Sequence, residues 1–305
     1  MRLKLISAQP ATKYYAWQVE VYLTQFLRLG YNPKDIHIVA GYTYDIDQSW
    51  ADLYHAYPDV EIQFYKYKET DYAPAMQSAV LAQHFKKFEW LKDCAIFFHD
   101  ADFVFTKYFD FSPFLNEETW YFSDTISYIG ADYIKSKSPS ILDIMCATVG
   151  IDRSVVEAKQ QNSGGAQKLM KNVTSDYWME VNVHSNNLYA LLKKVSHIKP
   201  EDHQYGIQIW TASMWAELWT AWKRGFTVEV PKEFDFCWAT CHISRWDELS
   251  FFHNAGVAAP NRGLFYKGDF IDRLPYGVDV DVDMDHCSRR YYELIQSVQT
   301  KLVSL

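Results

Sequence analysis

The chain has 305 residues, 49% hydrophobic and 17% aromatic, enough to bury a sizeable core as one large α/β domain or two smaller ones. Charged residues make up 22%, a globular proportion that excludes a disordered chain. The formal charge is -8, from 30 basic and 38 acidic residues, and with no long Lys/Arg run the sequence shows no chain-wide footprint for nucleic acid.

The apolar run at 1–6 is too short for a signal peptide and reads as the start of a strand over 3–8, followed by the polar turn 9–12. Residues 14–29 have helical periodicity and stop at Gly30, a residue type suited to a helix C-terminus. A second strand is expected at 36–40, a helix at 50–57 and a third strand at 60–67. Tyr72-Ala73-Pro74 opens another helix running to about Phe88, with Pro early in the first turn. Residues 94–99 form a fourth strand, so nearly all apolar that both its faces are expected to be buried. Strands alternating with helices predict a mainly parallel sheet flanked by helices, with ligands at the carboxyl ends of the strands.

Beyond Asp102 the pattern loosens. A strand is expected at 119–123, a turn at 160–165, a helix restarting at 166–170, and a longer helix at 176–195. A Trp-rich helix follows at 208–224, then a strand at 226–230, an apolar stretch around His253, and a helical tail from 288. The alternating acidic run 279–285 places four carboxylates on one face if extended, which fits a solvated edge strand better than a Ca²⁺ ladder. The five cysteines are scattered and form neither a disulfide framework nor a C-x-x-C pair, and no stretch of 18 apolar residues is long enough to span a membrane. A protein of a reducing compartment, the cytoplasm, is expected. The 11 Trp and 22 Tyr suit stacking on sugars or bases as well as core filling.

The chemistry concentrates in Ala95-Ile96-Phe97-Phe98-His99-Asp100-Ala101-Asp102, an apolar strand that ends in D-x-D. Carboxylates two apart on an extended chain point the same way, so Asp100 and Asp102 can share one hard cation. Mg²⁺ or Mn²⁺ prefers such oxygen ligands and keeps positions open for phosphate oxygens. The plainer alternative is a solvated loop with helix-capping aspartates.

This layout resembles the GT-A glycosyltransferases, and in particular the retaining family-8-like enzymes. Gln161-Asn162-Ser163-Gly164-Gly165-Ala166 is similar to their Asn-x-Gly turn, and Phe251-Phe252-His253-Asn254-Ala255-Gly256 to their late His-x-x-Gly segment. The resemblance covers most of 1–260, as motif order rather than continuous similarity. It implies a Rossmann-like, mostly parallel sheet in a single composite domain over 1–305, with 1–110 binding the nucleotide sugar and 111–305 holding the acceptor part and a C-terminal helix. It also implies Asp100, Asp102 and His253 as ligands of Mn²⁺ or Mg²⁺. Asn162, Gly164 and Gly165 would lie beside the donor sugar, and Ser7, Gln9 and Tyr72 would contact base and ribose. The donor it implies is a nucleotide sugar, a UDP-hexose by preference. The acceptor hydroxyl stays open between a carbohydrate and other groups, a modified base in DNA included. For the residue facing the sugar carbon, the sequence offers Asp202, Gln204, Gln208 and Glu217; Gln208 is preferred, Asp202 comes next, and Glu217 lies deep enough in a helix to be structural.

One rival reading uses the same aspartates. Asp100-Ala101-Asp102-Phe103-Val104 fits the D-x-D-x-V motif of haloacid-dehalogenase-type phosphotransferases, with Asp100 as nucleophile. That motif normally ends a first strand, and its G-D-x-x-x-D partner is one residue short at Gly268–Asp272.

Overall fold

The computed structural model describes residues 1–198, 206–257, 259–260 and 263–302. Among the described residues ten strands form: β1 (Arg2–Pro10), β2 (Ile36–Tyr42), β3 (Glu61–Lys66), β4 (Cys94–His99), β5 (Phe103–Phe105), β6 (Trp120–Asp124), β7 (Gly164–Lys171), β8 (Val228–Glu229), β9 (Phe236–Trp238) and β10 (Phe251–His253). Seven make one sheet in the order β3-β2-β1-β4-β7-β6-β8, and the other three make a small sheet in the order β5-β10-β9. This is the expected α/β architecture, a mostly parallel sheet flanked by helices. Within it β7 runs antiparallel to both β4 and β6.

The first four strands match the sequence reading because local pattern and burial agree there. Every residue of β4 is buried, as its apolar run requires. The segment 166–170 differs: the expected helix is the middle of β7. Ala-Gln-Lys-Leu-Met is a helix-forming string, but ladder bonds to strands on both sides and complete burial override that local preference. The β6–β7 register shifts between Phe122 and Ser123, and Ala166 takes a positive φ of 53° at the distortion. The expected edge strand at 279–285 is reduced to an isolated bridge between Gly263 and Val282, with Asp283 turned back to accept the Asp285 amide. The Trp-rich helix begins as a 3₁₀ turn, Ile209–Thr211, before Ala212–Lys223.

The contacts divide the chain into two compact units. One comprises Met1–Leu3, Tyr65–Phe98 and Phe114–Lys232. Its helices Ala75–Lys87, Ser175–Ile198 and Ala212–Lys223 accompany β4, β6, β7 and β8, and Trp120, Trp178, Trp215 and Trp219 fill its core. Inside it Lys168 of β7 makes a buried ion pair with Glu217, and the Lys168 ammonium sits over the Phe98 ring.

The second unit comprises Lys4–Phe64, His99–Pro113 and Glu233–Leu305. In it β1 and β2 pair in parallel from Leu5↔Ile36 to Pro10↔Gly41, and the helix Lys13–Arg28 follows β1 directly. That helix buries Trp17, Val21, Tyr22 and Phe26. Phe26, His99, Phe103, Phe105 and Phe251 meet ring to ring in a cluster that packs the small sheet.

Candidate metal centre

β4 delivers the chain to Asp100 and Asp102, and β5 starts one residue later. β5 pairs antiparallel with β10 so that Phe103 lies opposite His253. The Asn254 amide then donates to the Asp102 carbonyl at 2.9 Å. This register brings together residues some 150 positions apart. His253 Nε2 lies 3.1 Å from Asp102 Oδ1 and 3.7 Å from Asp100 Oδ2. One ligating atom from each of Asp100, Asp102 and His253 falls within 4.8 Å of the other two. Two carboxylates and an imidazole form a donor set that a hard divalent cation accepts, and Asp100, 36% exposed at its side chain, leaves an approach from solvent.

The ring of His253 is stacked against Trp238, with centroids 6.0 Å apart and planes 11° apart, so its orientation is packed as well as hydrogen-bonded. The Lys267 ammonium rests on Asp102 Oδ2. Burial works against the Asp102 charge, but Lys267 and then His253 outweigh it and hold the carboxyl well below the usual carboxylate range. Burial likewise works to discharge His253, and the charge and hydrogen bond of Asp102, followed by Asp100, reverse that and raise its pKa. Both shifts favour an ionised Asp102 facing a protonated His253. The neighbouring His99 is different in kind: burial lowers its pKa to about 4, and Tyr22 and Phe26 enclose its ring.

Lys267 also lies on the wall of a cavity of about 590 Å³, with Thr12, Lys13, Tyr14, Tyr266 and Asp272. Thr12–Tyr14 lie two to four residues past the carboxyl end of β1, where the helix Lys13–Arg28 begins. The phenol of Tyr14 is raised by burial and then by the negative field of Asp102, which ties this cavity electrostatically to the carboxylates.

The other expected site residues have the following surroundings. Ser7 and Gln9 are inside β1, with Ser7 Oγ 2.6 Å from Tyr22 Oη and Gln9 Nε2 donating to the Val39 carbonyl at 3.4 Å. The residues that reach the cavity are three to five positions further on. Tyr72, Asn162, Gly164, Gly165 and Gln208 belong to the other unit. Tyr72 is buried, stacks on Tyr189, and its hydroxyl donates to the Trp210 carbonyl and accepts from the Ser213 amide. Gly164 and Gly165 are explained by packing: a Cβ would lie 2.5 Å from Phe122 Cβ at the first and 2.4 Å from Met214 Cε at the second. Gln208 donates its backbone amide to Tyr133 Oη at 3.0 Å. Glu217 is held by Lys168, as a structural residue would be. Asp202 and Gln204 lie outside the described residues. Lys267, Tyr14 and Trp238 were not legible beforehand, because no fixed spacing links them to the D-x-D or to His253.

No protein-family model and no curated protein sequence matches the chain. Among solved structures it is similar to the apo structure of the bifunctional glycosyltransferase WbbM, with a TM-score of 0.52 and 10% identity over 98% of this chain and 50% of that one. It thus spans half the length of the WbbM chain. It is also similar to the galactosyltransferase LgtC in complex with donor and acceptor sugar analogues, with a TM-score of 0.49 and 14% identity over 97% of this chain and 96% of that one. For the apo form of glycosyltransferase GlyE from Streptococcus pneumoniae TIGR4 the TM-score is 0.43 and the identity 11%, over 96% and 60%. The likeness to WbbM extends over nearly the whole chain and bears out the GT-A fold.

Proposed function

We propose that this chain is a metal-dependent glycosyltransferase that moves a hexose from a UDP-linked donor to an acceptor hydroxyl with retention of configuration. The observation that carries the reading is the convergence of Asp100, Asp102 and His253 at the end of β4. The fold shared with WbbM, a glycosyltransferase, supports the reaction class. In this reading Asp100, Asp102 and His253 hold Mn²⁺ or Mg²⁺, which when bound supplies positive charge to the departing diphosphate. Lys267, already paired with Asp102 and on the cavity wall, turns its ammonium to a phosphate oxygen. Tyr14 and Tyr266 wall the same cavity with rings against which a nucleoside fits. The acceptor hydroxyl gives its proton to a departing phosphate oxygen, so no side-chain base is required. A carbohydrate acceptor is favoured over DNA by the charge of -8. Retention rests on the resemblance of 161–166, and the anomeric signal of the product in proton NMR decides it.

The test is a screen of nucleotide sugars with Mn²⁺ that measures nucleotide release, with Asp102→Ala as the control. Equal release from wild type and variant rejects the proposal. The phosphotransferase reading gains nothing here: Gly268 and Asp269 sit in the 3₁₀ turn Lys267–Phe270, and Asp100 is not the end of a first strand.

A further inference from the structure

The segment just past His253 carries a second set of buried polar atoms. Asn254 is 1% exposed and Tyr291 wholly buried. Among the described residues neither amide atom of the Asn254 side chain nor the Tyr291 hydroxyl has a hydrogen-bond partner. Buried polar groups are almost always paired, and one left unpaired costs stability without return unless a further state of the protein uses it. Both residues lie on the Asp102 side of the small sheet. The Asn254 backbone bond to the Asp102 carbonyl extends the β5–β10 ladder one pair beyond Phe103↔His253. Asn254 thus stands directly opposite Asp102, and the two side chains leave the ladder on the same face. Phe252, two residues earlier, shares that face. Its ring lies against Tyr291 of the helix Cys287–Gln296, with centroids 5.2 Å apart and planes at 31°. Tyr291 therefore covers the face that Asp102 and Asn254 share, and its phenol is raised by burial and then by the negative field of Asp102.

We infer that Asn254 and Tyr291 are positioning residues of the metal centre, donating hydrogen bonds to the Asp102 carboxylate when Asp100, Asp102 and His253 hold a cation; the inference rests on the cation site proposed above. In the protein alone the Asp102 oxygens are already served, Oδ1 by His253 Nε2 and Oδ2 by the Lys267 ammonium. A divalent cation removes both partners. His253 Nε2 turns its lone pair to the cation and no longer donates to Asp102, and the Lys267 ammonium is driven off by like charge. A ligating carboxylate spends one lone pair on the cation and keeps others, which in a buried site need donors. Asn254 Nδ2 and Tyr291 Oη are buried donors on that face with no commitment elsewhere.

The experiment uses the whole chain and Mn²⁺. Affinity is read from the electron paramagnetic resonance signal of free Mn²⁺, and stability from urea unfolding without metal. Tyr291→Phe removes one oxygen and keeps the ring on Phe252, and Asn254→Leu removes the amide at similar volume. Each variant is expected to bind Mn²⁺ about tenfold or more weakly, the loss that follows when the hydrogen-bond partner of a metal ligand is removed. Without metal, Tyr291→Phe is expected to be as stable as wild type or more so, because the hydroxyl it loses has no partner there. A residue that served packing alone would give the reverse, lower stability and unchanged affinity. Wild-type Mn²⁺ affinity in Tyr291→Phe overturns the inference, whether or not Asn254→Leu folds. Nucleotide release separates the two readings. Unchanged Mn²⁺ binding in variants of a wild type that transfers sugar rejects the inference and leaves the proposed function standing. Weakened Mn²⁺ binding in variants of a wild type that releases nucleotide from no donor supports the inference and rejects that function.

Discussion

The contact between Lys267 and Asp102 makes a prediction whose two halves have opposite signs. In the protein alone the Lys267 ammonium occupies Asp102 Oδ2, while His253 takes Oδ1. A divalent cation ligated by Asp102 competes with that ammonium and then sits beside its positive charge. At 4 Å and an effective dielectric constant near 20, such a contact amounts to about 4 kcal/mol of Coulomb energy. The Lys267 side chain is 23% exposed, so solvation of the freed ammonium offsets much of this and leaves on the order of 1–2 kcal/mol. Lys267→Met therefore binds Mn²⁺ roughly 5–30-fold more tightly than wild type in the absence of nucleotide. Binding of UDP in saturating Mn²⁺ moves the other way, because the phosphate oxygen loses its cation. Electron paramagnetic resonance of free Mn²⁺ gives the first quantity and calorimetry the second. Lys267→Arg, which keeps the charge, stays near wild type in the first. Unchanged or weaker Mn²⁺ binding in Lys267→Met refutes the competition, and with it the placement of the cation on Asp102.

Three further outcomes test the frame around the site. Glu217→Ala leaves the Lys168 ammonium buried without its carboxylate, a loss of about 3–5 kcal/mol in urea unfolding, whereas Lys168→Met combined with Glu217→Leu recovers most of it; a Glu217→Ala variant of wild-type stability would reopen a functional role for Glu217. His37 is held near pKa 4, first by burial and then by Lys4, against 6.5 for the unfolded side chain. The unfolded chain therefore binds the extra proton first, and stability falls as pH drops from about 6.5 to 4, by roughly 3 kcal/mol in all. His37→Phe flattens that part of the stability–pH curve, and an unchanged slope would contradict the buried neutral state. Gly164→Ala places a methyl group 2.5 Å from Phe122 Cβ and 2.9 Å from the Ser123 carbonyl, which cannot easily move, and is expected to cost about 1–3 kcal/mol in thermal unfolding. Gly165→Ala meets the flexible end of Met214 at 2.4 Å and costs less; the reverse order would show that packing does not explain these glycines.

How much of this was legible in the sequence depended on whether local pattern and tertiary pairing agree. β1, β2 and β4 were readable because each carries an apolar stretch where the strand is buried, nearly continuous in β4 but broken by Lys4, Ser7 and Gln9 in β1 and by His37 in β2. β7 was not, because its helix-forming residues are held extended by two neighbouring strands that no local window contains. The approach of His253 to Asp100 and Asp102 was expected from D-x-D plus His-x-x-Gly, since each half is a short motif, and the three side chains do converge. Lys267 has no motif: it reaches Asp102 from 165 positions away through the fold alone. Ser7 and Gln9 lie inside β1, and the cavity wall beyond that strand, Thr12–Tyr14, had no signal of its own, because alternation says which residues lie on a strand and not where it surfaces.

The aromatic residues were the most ambiguous feature of the composition, and around the Asp100–Asp102–His253 cluster their role is packing. Next to the Asp100–Asp102–His253 cluster, Phe26 and Phe103 pack on His99, Phe105 and Phe251 interlock with Phe103, and Trp238 stacks on His253. These rings fix β5 against β10, and that register sets the distance from His253 to the two aspartates. A ligand set whose members are so far apart in sequence keeps its geometry only if the strands carrying it cannot slide, and large interlocked rings resist sliding better than aliphatic side chains of fewer contacts. A loss of core rings such as Phe251→Ala, fully buried between β5 and β9, is therefore expected to act on stability and metal affinity together.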